Sequence, residues 1–252
     1  FSLVFDMESS SLKNIQSNVR KTGKFLQTKK GKKVLAIIAI LAIIFIGSYI
    51  RLQNWDLLED KTTGEKIPLA LDPYYFLRIA ETMEQPGPMP EYDELRSPNT
   101  IKRGWHPEIL PHSIVAMHQI GDVFGDVSLY EADVVNPVIF FALALFVYFM
   151  LVSKLTKSRL IAIISSLFLA ITPMYLYRTM AGFADHESIG MFAFFLMLLA
   201  FSVSLRYIDK NFDKTGKRSL TKKGLYGILI GFLMALTIAT WGGVANFSFM
   251  II

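Results

Sequence analysis

Charged residues vanish from five stretches of this chain, and those gaps set its architecture. Residues 34–50 (VLAIIAILAIIFIGSYI), 134–153 (VVNPVIFFALALFVYFMLVS), 160–177 (LIAIISSLFLAITPMYLY) and 188–205 (SIGMFAFFLMLLAFSVSL) hold no Asp, Glu, Lys or Arg, and residues 224–252 are uncharged throughout. A helix of about 17–25 apolar residues crosses a bilayer core. The pattern therefore predicts spans at 34–50, 134–153, 160–177, 188–205 and 224–241, with a sixth starting near residue 247. Lys33 and Arg51 close the first span. Trp241-Gly242-Gly243 marks an end of the fifth, because Trp favours the interface and a Gly pair loosens a helix. Residues 109–120 (ILPHSIVAMHQI) are apolar but too short to span, and predict a helix lying on the membrane surface.

The stretches between these runs are polar. Residues 51–133 are too long for a simple connector. Within ALDPYYFLRIAETMEQPGP, Asp72 followed by Pro73 predicts a helix start, with Asp as N-cap and Pro as the first helical residue. That helix runs to about Glu84 and stops before the PGP turn. In the basic segment 8–33, Leu12, Ile15, Val19 and Phe25 recur at helical spacing, so it reads either as an interfacial helix or as a solvated tail. Met7 is a candidate natural start.

With 52% hydrophobic residues in a chain of 252, the composition agrees with an all-α polytopic membrane protein carrying a long helical first external loop. The absence of cysteine excludes disulfides and thiolate metal ligands. Charge supplies the orientation. With the N-terminus cytoplasmic, the segments 1–33, 154–159 and 206–223 lie inside and hold 18 of the 26 Lys and Arg but only 4 of the 21 acids. This is the positive-inside pattern, and it places loop 51–133 and the 178–187 connection outside. Topology and anionic lipid account for the basic segments without a nucleic-acid partner.

The candidate chemistry gathers at the outer face. In AGFADHES, residues 181–188, Asp185 and Glu187 sit between two apolar runs. One reading is a divalent-metal site; the other is an acidic first turn complementing the dipole of the next helix. Asp72, His106, His186 and Trp241 fall on the same face. Hard oxygen ligands from Asp72, Asp185 and Glu187 suit Mn²⁺ or Mg²⁺ and leave room for a phosphate-bearing substrate. Such an ion would neutralise charge on a departing phosphate, with His106, His186, Arg178 and Arg103 as candidate donors to the same oxygens. Each residue has a plainer role. Asp72 can serve as a cap, His106 beside Trp105 can pack at the interface, His186 can face water, and His112 and His118 can line the polar side of the surface helix. The histidine spacing is not a zinc pattern. Asn246-Phe247-Ser248 has the form of a glycosylation acceptor but lies in an apolar segment.

ALDPYYFLRIAE, RTMAGFADHES and ATWGG, in this order around the spans, resemble the catalytic subunit of oligosaccharyltransferase, closest in wording to the archaeal single-subunit type. The resemblance runs from about residue 34 to the end. Asp185-His186-Glu187 matches the family's DxE motif. The first-loop DxD motif keeps only its second acid, Asp72, with Ala70 at the first position. The resemblance implies the N-terminal transmembrane helices of a type-C glycosyltransferase fold. It also implies an oligosaccharide donor on dolichol phosphate or pyrophosphate, and an acceptor polypeptide with an Asn-x-Ser/Thr sequon. Asp72, Asp185 and Glu187 would bind the metal and act in catalysis; His106, His186, Trp241 and Arg178 would face the lipid phosphate. The amide nitrogen would attack the anomeric carbon with inversion. The family's later spans, a further external acid and its soluble C-terminal domain are not in these residues, so the site is expected to need the remainder of the polypeptide. Two alternatives stand: another type-C enzyme, such as a protein O-mannosyltransferase or an aminoarabinose transferase, and a non-catalytic transporter or scaffold subunit.

Overall fold

A computed structural model describes residues 26–93, 100–102, 109–210, 217–244 and positions 246, 248 and 250. The chain divides into two compact units, residues 1–42 and 43–252. The described part of the first is the leading part of helix α1 (Lys29–Arg51). After a 3-10 turn at Trp55–Leu58 come α2 (Leu71–Glu84) and a two-residue antiparallel pair, β1 (Tyr92–Asp93) with β2 (Ile101–Lys102). Then follow α3 (Ile109–Phe124), α4 (Leu129–Thr156), α5 (Arg159–Ile171), α6 (Pro173–Tyr177), α7 (His186–Lys210), α8 (Lys217–Thr240) and a 3-10 turn at Gly242–Val244. Among the described residues, four helices are long and apolar enough to cross a membrane: Lys29–Arg51, Leu129–Thr156, His186–Lys210 and Ser219–Thr240.

Helix α4 is the centre of the second unit. Its apolar window is 61% buried, against 17% for Ser219–Thr240, so α4 is wrapped by protein while α8 turns most of its surface outward. A capping box starts it: Ser128 accepts from the Glu131 amide, and Glu131 accepts from the Ser128 amide. Ala144, Val147 and Leu151 of α4 pack with Phe195 of α7. At the other end of α4, Ala132 and Phe140 meet Leu77 and Ala80 of α2 and Leu110 and Ile114 of α3. Exposed side chains such as Phe168, Ile228 and Phe232 would be costly in water but face lipid at little cost.

Four expectations change. Ala70, extended at φ −145°, precedes α2, which starts at Leu71. Asp72 is thus inside the first turn and not the cap. The expected span 160–177 is broken at Thr172 into α5 and α6. Pro173 has no amide hydrogen and forces Thr172 to an extended ψ of 120°, which ends α5. The second span starts at Leu129, five residues earlier than expected, and carries Asp133 fully buried. The fifth span likewise begins earlier, at Lys217. Residue 247, where a sixth span was expected to start, lies outside the described residues, as do residues 1–25 of the basic segment.

Arg51 departs furthest from its expected interfacial place: it is completely buried. Its Nη1 donates to the Gly47 carbonyl at 3.0 Å and its Nη2 to the Ala170 carbonyl at 3.1 Å. Those carbonyls belong to the last turns of α1 and α5, whose C-terminal ends carry partial negative charge. Nε donates to Thr179 Oγ1 at 2.7 Å. The guanidinium carbon stands 3.4 Å from the Phe141 ring centroid and 5.7 Å from that of Tyr175. A Cβ on Gly47 would come within 2.6 Å of Phe141, so a glycine here lets the ring close over the cation. One cation thus caps two helices and, among the described residues, has no carboxylate partner. Replacing Arg51 with Ala strips both caps and opens a cavity, and should lower stability by roughly 2–5 kcal/mol. Thermal unfolding in detergent measures this, with Arg51→Lys expected in between; an unchanged midpoint in Arg51→Ala would deny the cap any weight.

Candidate functional site

The connection between α6 and α7 ends on Asp185 and leads into Glu187 in the first turn of α7, and its course is set mainly by backbone bonds to other parts of the chain. The Ala181 amide donates to the Arg51 carbonyl at 3.0 Å, and the Asn54 side-chain amide to the Ala181 carbonyl at 2.9 Å. The Gly182 amide donates to Val134 of α4 at 2.9 Å, and the Gly182 carbonyl accepts from Leu69 at 2.8 Å. Gly182 has φ +82°, and a Cβ there would sit 2.8 Å from Leu58 and 3.1 Å from the Leu69 nitrogen. Glycine is required on both counts. The segment bringing Leu69 in is itself a turn, bridged at Glu59 and Lys66. Hydrogen bonding from the Lys66 ammonium, then the charge of Lys61, holds the Glu59 carboxyl below its usual range.

On this frame Asp185 directly precedes α7 and is 3% exposed. Its Oδ1 accepts from the His186 amide at 2.7 Å and lies 3.3 Å from His186 Nε2. Its Oδ2 stands 3.6 Å from Arg178 Nη1, which also lies 3.1 Å from Glu187 Oε1. The other Glu187 oxygen, Oε2, is buried with no hydrogen-bond partner. The acidic-first-turn reading thus accounts for one oxygen of Asp185. One further oxygen from each acid, Asp185 Oδ2 and Glu187 Oε1, faces a single guanidinium, so one cation stands against two carboxyl groups. A pair of hard oxygen donors with net negative charge and one orphaned buried oxygen fits a Mn²⁺ or Mg²⁺ ion.

The surroundings come from α2 and from Trp241, just past the end of α8. His186 packs edge-on against Phe76 of α2, with ring centroids 4.9 Å apart. Asp72 is exposed and lies one turn before Phe76, on the same face of α2. Among the described residues, no group of three His, Cys, Asp or Glu side chains is close enough to hold a metal, so Asp72 shares a side with the pair without joining it. A Cβ on Gly190 would meet Trp241 at 2.9 Å, which puts the indole against α7 one turn beyond Glu187. Arg178 also lies over the Phe183 ring, its guanidinium carbon 4.9 Å from the centroid. His106 lies outside the described residues. His118 stands apart, between Glu84 and Asp122. Sequence reasoning missed Arg51, Gly182 and Gly190 as supports. The available signal was a glycine interrupting an apolar span, a sign of close packing.

The sequence profile described as "Oligosaccharyl transferase STT3, N-terminal" matches residues 37–252. Dolichyl-phosphooligosaccharide-protein glycotransferase 2 of Archaeoglobus fulgidus is 25% identical over 205 residues, covering 81% of this chain and 30% of the relative. Glycotransferase 1 of the same organism is 27% identical over 210 residues, covering 82% and 31%. The chain therefore spans about a third of the length of these relatives. The archaeal oligosaccharyltransferase AglB from A. fulgidus, in complex with an inhibitory peptide and a dolichol-phosphate, aligns with TM-score 0.60 at 20% identity over 81% of this chain and 24% of that one. The A. fulgidus enzyme tethered to an acceptor peptide with the NVT sequon gives TM-score 0.62 at 18% identity over 90% and 26%. At these identities the structural likeness shows the fold.

The Gly190–Trp241 contact is testable without any activity. In a Trp55→Phe, Trp105→Phe background, Gly190→Ala should displace Trp241 and shift its fluorescence emission, while the midpoint of unfolding moves little. An unaltered spectrum would remove Trp241 from the face of α7 that carries Glu187.

Proposed function

We propose, from the premise that this chain belongs to the oligosaccharyl transferase STT3 N-terminal family, that it supplies the metal-binding and lipid-phosphate-binding half of a protein N-glycosylation site. The donor is an oligosaccharide assembled on a dolichol phosphate or pyrophosphate, and the acceptor is the Asn of an Asn-x-Ser/Thr sequon. The observation that carries this reading is the Asp185–Arg178–Glu187 cluster with its orphaned Glu187 oxygen, set at one helix start beside Trp241. The names of the two relatives and the dolichol-phosphate and peptide in the AglB complex support the same donor and acceptor classes. The orientation argued from positive charge puts this cluster on the extracytoplasmic face.

Asp185 and Glu187 would hold Mn²⁺ or Mg²⁺; Asp72, which is not within ligand distance of the pair, would serve as a third ligand only if α2 moved toward them. When bound, that ion supplies Lewis-acid stabilisation of the leaving phosphate. The chain's own residues do the rest. Arg178 has five N–H donors and spends Nη1 on the carboxylates, which leaves donors for phosphate oxygens. His186, fixed by its contact with Phe76, offers a further donor when protonated. Trp241 gives the lipid an aromatic wall at the end of α8. In this reading Asp72 would also be near the acceptor amide, whose nitrogen would attack the anomeric carbon with inversion. Acceptor selection needs the rest of the polypeptide.

The test uses the full polypeptide in membranes, with a lipid-linked oligosaccharide and sequon peptides. EDTA should abolish transfer and Mn²⁺ restore it. Asp185→Asn and Glu187→Gln should each lower kcat by about 10²-fold or more, with donor binding retained. Full transfer in the double variant would return both acids to a structural role. A hydroxyl in place of an Asn amide as acceptor would move the chain to another type-C activity.

A further inference from the structure

We propose a second cation site, separate from the Asp185–Glu187 pair, in which Asp133, Asn136 and Glu81 take a Ca²⁺-like divalent ion between α2, α3 and α4. Asp133 is fully buried, and neither of its carboxylate oxygens has a hydrogen-bond partner. Asn136 lies three residues on, so both side chains leave the same face of α4. It too is fully buried. Its Nδ2 donates to Ser113 Oγ at 2.9 Å and approaches the Met117 sulfur at 3.4 Å, while its Oδ1 has no partner. Three orphaned oxygens thus share one buried layer.

The nearby charge makes the deficit worse. Glu81 of α2 brings a second acid to the edge of this layer: one of its oxygens accepts the hydroxyl of Tyr130, which lies one turn before Asp133 on α4, at 2.5 Å. Among the described residues neither acid forms an ion pair. The start of α4 does not compensate, because Ser128 and Glu131 already cap it and Asp133 is the fifth helical residue, beyond the first turn where the dipole acts. An uncompensated buried carboxylate is strongly unfavourable. A divalent cation balances two carboxylates, and an all-oxygen set is a hard-ion set. Ca²⁺ tolerates an irregular arrangement of carboxylate and amide oxygens better than Mg²⁺, which demands near-octahedral geometry.

The full polypeptide, stripped with chelator in detergent, gives the test. Saturating CaCl₂ should raise its unfolding midpoint by roughly 5 °C, with MgCl₂ less effective. The Ca²⁺ shift should persist in Asp185→Asn/Glu187→Gln and vanish in Asp133→Asn. Glu81→Gln, at the half-buried edge of the layer, tests the same point if Asp133→Asn does not fold, and should weaken the Ca²⁺ dependence. Radioactive Ca²⁺ binding should drop by one ion per chain in whichever variant folds. The proposal is overturned if the parent shows no Ca²⁺ shift, or if Asp133→Asn melts at or above the parent with CaCl₂ present.

Discussion

The buried guanidinium of Arg51 is the constraint on which the rest of the second unit depends. A cation taken out of water needs compensation. Here it comes from two helix C-termini, a threonine hydroxyl and two aromatic faces instead of a carboxylate. Because those partners belong to α1, α4, α5 and Thr179, the cation fixes where α5 stops and where the chain leaves α6. The break at Pro173 frees the Ala170 carbonyl, and Arg51 satisfies it. The proline and the arginine are two halves of one device.

From this anchor the candidate site follows in a few steps. The carbonyl of Arg51 itself receives the Ala181 amide, so the residue that ends α1 also begins the ordered loop. Gly182 then clips that loop to α4 and to Leu69. By Asp185 the backbone has no remaining freedom to wander, and the two acids emerge at the start of α7 facing Arg178. The site is small and borrowed: its supports come from α1, α4 and the loop that carries Asn54 and Leu69, and most of them are backbone groups. A side chain on Gly182 would disturb it more than many changes to the carboxylates' immediate neighbours.

The membrane explains why polar groups are so carefully placed. Lipid cannot hydrogen-bond, so polar atoms within the spans must find partners inside the protein. Ser204 and Thr237 solve this by bonding back to the carbonyl four residues earlier in their own helices. Asp133 does not, and Asn136 finds a partner only through its Nδ2, which leaves three acceptor oxygens of one layer without partners. The central, well-covered helix α4 can carry such groups, whereas the outward-facing α8 cannot.

The charge-free runs 34–50, 134–153, 188–205 and 224–241 correspond to helices long and apolar enough to span, and were legible because hydrophobic burial in lipid is a property of consecutive residues; the run 160–177 is not one helix, and the segment from Ile109 was legible as a helix. Charge-free runs report it directly. The DHE acids were legible for the same reason, standing alone between two such runs. The helix over residues 71–84 was readable to its end, where PGP breaks it, but its cap was misplaced by a local Asp-Pro signal that α2 overrides. What the sequence could not reveal was every contact between residues distant along the chain. Arg51 reads as an ordinary span terminus until α5 and Phe141 surround it. Asp133 reads as the edge of a span until α2 and α3 cover it. Glycines 182 and 190 read as loop and helix residues until Leu58 and Trp241 press against them. Linear pattern determined what crosses the membrane, because that depends on local transfer free energy; tertiary packing alone decided which charges are buried, because burial depends on neighbours a hundred residues away.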